Sequence, residues 1–213
     1  MISMIACVTR NNGIGLKGDL LVKSSKDMNR FRAKTKGKKV VMGYGTWKSL
    51  PTLSLKDRLN IVFFNGELPD DLREATENEN HTVMAIKIDA HNQHVNFITE
   101  LAKEEEIVVI GGQSMYETFI PFASVLYLTY VDMTMTADRF FPYFNTASWN
   151  VTENRIVKDK INKNFQTSLT FLTLEREEPQ GTPVTFFEDM TTIFSNVANT
   201  FKKSELGGIS LGY

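Results

Sequence analysis

The sequence predicts an α/β fold, with a mostly parallel sheet that ends in an antiparallel C-terminal edge and is flanked by about four helices. Three observations carry this reading. Two apolar runs, Lys39–Met42 and Ile107–Ile110, each pass through a glycine-bearing turn directly into a helical stretch, as parallel strands with crossover helices do. Ile2–Val8 is continuously apolar, as a strand covered on both faces requires. Helical patterns come early and strand patterns late, so the last strands should return antiparallel.

The elements follow in order. Ile2–Val8 is bounded by Arg10-Asn11-Asn12-Gly13, and with Gly15 and Gly18 these residues make 9–23 a flexible surface loop able to act as a lid. Ser24 or Ser25 can cap a helix reaching about Lys34, and Asp27 falls in its first turn, where the helix dipole favours a negative charge. Phe31 lies one turn further on the same face, so a carboxylate stands beside an aromatic wall. Lys39–Met42 leads into Gly43-Tyr44-Gly45-Thr46 and a short helix to about Leu50. Asn60–Phe64 and Thr82–Ile86 read as strands separated by a polar stretch, Gly66 to Asn80. Asn92–Lys103 reads as a helix, and Ile107–Ile110 runs through Gly111-Gly112 into a helix over Gln113–Phe119. Val125–Val131, Asn150–Val157 and Gln166–Leu174 supply the late strands. Each glycine turn brings backbone N–H groups toward an anion at a helix N-terminus, and Thr46 adds a hydroxyl.

From Glu175 the chain becomes a charged, proline-bearing linker, followed by Met190, Ile193, Phe194, Val197 and Phe201 at helical spacing. Residues 1–174 are therefore expected to form one domain. Residues 175–213 are expected to be an extension with one amphipathic helix and a loose end, able to dock a partner protein or a second copy.

Composition bounds the function. With 213 residues, 42% of them hydrophobic, the chain supports one substantial core. A formal net charge of −1 gives no global field for nucleic acid or an anionic membrane, so neither is expected as a partner. Cys7 is the single cysteine, which excludes an internal disulfide and a cysteine-rich metal site and suits a reducing cytoplasm. The apolar N-terminal run is too short for a membrane span or signal core. His91 and His94 have helical spacing but no evident third ligand, so they read as surface residues and no metal site is expected. Phe140-Phe141-Pro142-Tyr143-Phe144 reads as packing.

The order of these motifs resembles the dihydrofolate reductase family across roughly residues 1–174. MISMIAC, the loop IG, Asp27 followed by M-N-R-F, KKVVMGYGTWKSLP, NIVF, IVVIGGQSMYETFIP, LYLTYVD and ADRFFP stand in the family's order and approximate spacing. The resemblance implies an eight-stranded sheet and NADPH-dependent reduction of 7,8-dihydrofolate to tetrahydrofolate. It implies that Asp27 is the active-site carboxylate, supported by the Thr129 hydroxyl. Ile5, Met28, Phe31 and Leu50 match the apolar walls of the folate pocket. Arg58 matches the arginine that holds the glutamate α-carboxylate, and Arg32 adds a basic contact to that tail. Cys7, Ile14 and Gly15 match residues around the nicotinamide, and Leu20 lies where the loop covers it. Gly43, Gly45 and Thr46 match one phosphate-binding turn. Ile110, Gly111, Gly112, Gln113 and Tyr116 match the other. Antifolates are implied as inhibitors.

This chain departs from the family at four places. Leu21-Val22 stands where Pro-Trp is usual, removing an indole near the carboxylate. Tyr44-Gly45, Ser114 and Asn65-Gly66 replace residues that often read the cofactor's 2′-phosphate, which leaves NADH open beside NADPH. Lys56-Asp57 precedes Arg58 in place of Pro-Gly, so that Asp57 can pair with it. The tail is the fourth. Two alternatives therefore stand: a reductase-fold binding module docking a partner through its tail, and a reductase acting on another pterin or an amino-uracil.

Overall fold

The computed structural model describes residues 1–78, 80, 82–162 and 165–177. Along the chain the elements are β1 (Ile2–Thr9), β2 (Gly13–Leu16), β3 (Asp19–Leu20), α1 (Ser25–Thr35), β4 (Lys39–Gly43), α2 (Tyr44–Ser49), β5 (Leu59–Phe64) and α3 (Asp70–Glu77). They continue with β6 (Val83–Lys87), α4 (Gln93–Glu104), β7 (Ile107–Gly111), α5 (Gln113–Phe119), β8 (Ala123–Val131), β9 (Arg139–Phe140), β10 (Trp149–Asn162) and β11 (Phe165–Arg176). Eight strands form one sheet in the order β10-β11-β8-β1-β7-β4-β5-β6. The six strands from β8 to β6 pair in parallel, and β11 pairs antiparallel with both β8 and β10.

β1 sits inside this sheet, and that explains its unbroken apolar run. Met4, Ala6 and Val8 enter one core with Val109, Phe119 and Leu126, while Ile5 enters a second, on the opposite face, with Val40, Met42 and Trp47. A strand with both faces covered has no polar side to show. A third, smaller cluster gathers Val22, Val131, Leu169 and Phe171 beside the N-terminus of α1.

Residues 9–23 differ from the expected flexible loop. They fold as the β2–β3 hairpin, to which β9 adds, forming a three-stranded sheet of their own. Asn11 supplies the anchor: its amide donates to the Met135 carbonyl at 2.9 Å and its side-chain oxygen accepts from the Met135 N–H at 3.2 Å. Gly13 is needed here because a Cβ at this position would stand 2.8 Å from Ala137 Cβ, Leu21 Cδ1 and Thr9 Oγ1. Gly13→Ala is expected to destabilise the protein by about 1–3 kcal/mol, the usual cost of overpacking, read as a lowered Tm.

Three further expectations change. The stretch Gly66–Asn80 contains α3, which makes five α-helices among the described residues; the signal was present in Leu68, Leu72 and Ala75, which pack into the second core, and in the acidic first turn Asp70-Asp71. β11 runs on to Arg176, so Glu175 and Arg176 belong to a strand. Arg176 donates to the Ala123 and Ile120 carbonyls and lies 4.3 Å from the Trp149 ring centre. His94 is buried rather than superficial: its ring meets Phe63 edge-on and its Nδ1 lies 3.2 Å from Asp89 Oδ2. The anticipated amphipathic segment around Met190–Phe201 falls outside the described residues. Among the described residues no helix is long and apolar enough to cross a membrane.

Candidate active site

A cleft of about 860 Å³ crosses the carboxyl ends of five neighbouring parallel strands. Cys7 marks the end of β1, Ile110 and Gly111 that of β7, Gly43 that of β4, Phe64 that of β5, and Ile88 follows β6. Four strand spacings amount to roughly 19 Å, a span suited to an extended dinucleotide, and this edge is where open α/β sheets bind ligands. All twelve residues read as the cofactor half line this cleft: Cys7, Ile14, Gly15, Leu20, Gly43, Gly45, Thr46, Ile110, Gly111, Gly112, Gln113 and Tyr116.

The middle of the cleft fits a pyrophosphate. The two strand-to-helix turns face each other there, and neither α2 nor α5 has a side-chain N-cap, so backbone N–H groups are left to meet an anion. Gly111 has φ +128°, a conformation that L side chains rarely adopt, and a Cβ on Gly112 would stand 3.1 Å from Thr46 Oγ1. Glycine at both positions lets the two turns come together. Tyr116 closes the floor, its hydroxyl donating to the Ile5 carbonyl at 2.7 Å. Burial pushes its phenol far above the ordinary range, so it stays a neutral donor. Burial likewise raises the Cys7 thiol, with the charge of Asp27 adding to the effect, which makes it a lining group rather than a nucleophile.

Asp27 is not among the residues that line this cleft, but its charge acts on two that are, Cys7 and Tyr116. Ser24 caps α1, its Oγ accepting from the Asp27 N–H at 3.1 Å. Ser24 in turn donates to Asp159 of β10 at 2.5 Å, and the Lys26 N–H donates to the same carboxylate at 2.9 Å. These donors hold Asp159 down to about 2, so the N-terminus of α1 is fastened to the sheet by an anion. Asp27 itself is half-buried, and that burial raises its carboxyl above the usual range, against the lowering influence of the Thr129 hydroxyl and of the nearby charge of Arg30. Thr129 is itself buried. Its place on β8 beside Cys7 of β1 explains how a helix-borne acid and a strand-borne hydroxyl meet.

The residues read as the substrate half are split. Ile5, Phe31 and Leu50 pack on the second core with Trp47 and Tyr127. Met28 and Arg32 line a shallower cavity of about 310 Å³ with Leu20, Lys23 and Ser24. Arg58 is anchored by donation to Thr35 Oγ1 at 3.0 Å and to the Lys56 carbonyl at 2.8 Å. Asp57 is felt by Arg58 as a nearby negative charge and Arg32 as a positive one, which places two guanidiniums in electrostatic reach of each other. Three residues the sequence reading left unassigned also shape the site, Arg30, Asp71 and Asp159, and Ser24 is the helix cap it named as a candidate. At the β4–β5 end, Asp71 accepts from the Tyr44 hydroxyl at 2.9 Å and pairs with Lys48 at 2.5 Å. Lys38 and Lys39 are held by Glu106 and Glu105 instead.

Comparison with known proteins bears on the family. The sequence model for dihydrofolate reductase matches residues 1–176. This chain belongs to the dihydrofolate reductase family. Among curated relatives, the dihydrofolate reductase of Haemophilus influenzae is 32% identical over 149 residues, covering 70% of this chain and 83% of the relative. The type 3 dihydrofolate reductase of Salmonella typhimurium is 32% identical over 177 residues, covering 83% and 99%. The fold agrees with a dihydrofolate reductase from Enterococcus faecalis complexed with NADP(H) and RAB-propyl, at TM-score 0.66 and 23% identity over 84% of this chain and 97% of that one. Membership in the reductase family accounts for a dinucleotide cleft with a half-buried acid acting on two of its lining residues.

Proposed function

We propose that the chain reduces 7,8-dihydrofolate to tetrahydrofolate with NADPH, using Asp27 as its one indispensable charge. The observation that carries this is the placement of Asp27: half-buried, under the influence of the Thr129 hydroxyl, and close enough to Cys7 and Tyr116 to raise both. When bound, the cofactor supplies a hydride to C6 of the pterin. The chain's own residues do the rest. Asp27, as an anion, accepts from the pterin amide N–H and 2-amino group, which fixes the ring and favours protonation of N5 from solvent. Thr129 holds the carboxylate in place. Ile5, Met28, Phe31 and Leu50 exclude water from the ring, and Leu20 with the β2–β3 hairpin covers the reacting face. Arg58, with Arg32 nearby, meets the glutamate carboxylates. Antifolates that imitate the pterin's contacts to Asp27 should compete with dihydrofolate.

The direct test is product analysis after incubating the full chain with dihydrofolate and NADPH. Tetrahydrofolate should form mole for mole with oxidised cofactor. No tetrahydrofolate, or reduction of an amino-uracil in its place, would overturn the reading.

Cofactor preference should depend on Asp71, because it neutralises Lys48 next to Tyr44, which lines the β4–β5 end of the cleft where the adenosine would lie. Asp71→Asn is expected to raise the ratio of kcat/KM for NADPH over NADH by about two- to five-fold, the scale of an exposed ion pair. An unchanged ratio would remove Lys48 from 2′-phosphate recognition. We also propose that the domain ending with β11 acts as the catalytic unit and the residues after Glu177 as an extension; truncation after Glu177 should leave turnover intact.

A further inference from the structure

Arg30 is a buried cation that the reaction as described does not use. It lies on α1 one helical turn after Asp27 and is only 7% exposed. Its guanidinium donates to the Leu172 carbonyl at 2.8 Å, to Thr173 Oγ1 at 3.2 Å, to Glu153 Oε2 at 3.1 Å and, weakly, to the Leu128 carbonyl at 3.4 Å. The rings of Tyr127 and Phe171 flank it, with centres 5.8 and 5.1 Å away. Leu128 immediately precedes Thr129, and Phe171 is the β11 residue paired with Thr129. An arginine is seldom buried unless its charge is matched, because desolvation costs several kcal/mol before pairing offsets it. Here Glu153 is the hydrogen-bonded partner, and Asp27 is the second anion within electrostatic reach.

We propose that Arg30 is a positioning residue for the reduction: a fixed, buried positive charge one turn from Asp27 that keeps this carboxylate available as an anion and locks the β8 segment carrying Thr129. The proposal rests on the role assigned to Asp27, but its test reads the carboxylate rather than turnover. The titratable and charged groups facing Asp27 are Arg30 on its own helix, Cys7 on β1 and Tyr116 on α5. Behind Arg30 stand Glu153 and Arg155 on β10, and Lys34 acts on Glu153. Glu153 is therefore the competitor for Arg30's charge, and its own carboxyl is lowered by Thr173 and Arg30, against the effect of burial.

The experiment is a carboxyl 13C NMR titration of the full chain with labelled aspartate, using Asp27→Asn to assign the resonance. Arg30→Met should move the Asp27 titration up by about one pH unit or more, and Arg30→Lys by less. Glu153→Gln should move it down, because Arg30 then has no competing partner. The opposite signs of the two shifts separate this from a packing role, which would move neither in a defined direction. If Arg30→Met does not fold, Glu153→Gln and Arg30→Lys decide. An Asp27 titration unmoved in the folded variants, or moved up by Glu153→Gln, overturns the proposal. Full turnover of Asp27→Asn would instead overturn the role of Asp27 and leave the titration result standing.

Discussion

Replacement of Asp27 by Asn is expected to lower kcat/KM for dihydrofolate at neutral pH by roughly 10²–10⁴-fold, the range for loss of a positioned acid–base group. The amide is nearly isosteric and keeps a hydrogen-bond acceptor toward Thr129, so what it removes is the negative charge. Stability should move the other way. The Asp27 carboxyl is raised in the folded protein, chiefly by burial. The folded chain therefore holds this proton more tightly than the unfolded chain, and its contribution is fully present below the ordinary carboxyl value and lost as pH rises through the folded value. At neutral pH the ionised group weakens the fold, and Asn relieves that. Tm of Asp27→Asn should exceed wild type at pH 7, with the gap closing as pH falls to the ordinary carboxyl range. Thermal denaturation at the two pH values checks this, and a variant less stable at pH 7 would contradict it. A site whose charge costs stability and whose removal costs activity is under functional constraint.

Arg58→Leu should raise KM for dihydrofolate by roughly ten- to a hundred-fold with kcat nearly unchanged, the scale of one lost charge-assisted hydrogen bond. The geometry behind this is an anchored guanidinium beside a second one. Thr35 and the Lys56 carbonyl fix Arg58, and the positive charge of Arg32 is felt there. Asp57 supplies one nearby negative charge for the two guanidiniums, and the α-carboxylate of the substrate's glutamate would supply a second. A reduced pterin without the glutamate should be handled equally by wild type and variant. Steady-state kinetics with both substrates measures it, and a fall in kcat with unchanged KM would move Arg58 from the substrate's tail to the fold.

Much of this was legible in the sequence because the signals were local. A central strand covered on both faces has to be apolar throughout, and Ile2–Val8 is. A parallel strand that turns at glycine into a helix announces an anion cradle, and both such turns line one cleft. What escaped was long-range. The glycines of residues 9–23 suggest freedom, yet Asn11 and β9, more than a hundred residues apart, convert the stretch into a hairpin sheet. α3 was hidden because its charged face dominates a short segment whose few apolar residues pack into the second core. Arg30 carries no local signal on a helix rich in charged residues. Only the arrival of β10 and β11 shows that it is buried against Glu153 and the Leu172 carbonyl. The same strands bring Asp159 to the cap of α1, a contact spanning 135 residues.

The measurement that bears most directly on the account is the single-turnover rate of hydride transfer from NADPH to dihydrofolate as a function of pH, for wild type and Asp27→Asn side by side. With Asp27 favouring N5 protonation, wild type should hold its rate into the neutral range. The variant must wait for substrate protonated in solution and should lose roughly tenfold per pH unit. Two superimposable profiles would contradict the account, since the half-buried carboxylate beside the cleft would then have no part in the chemistry.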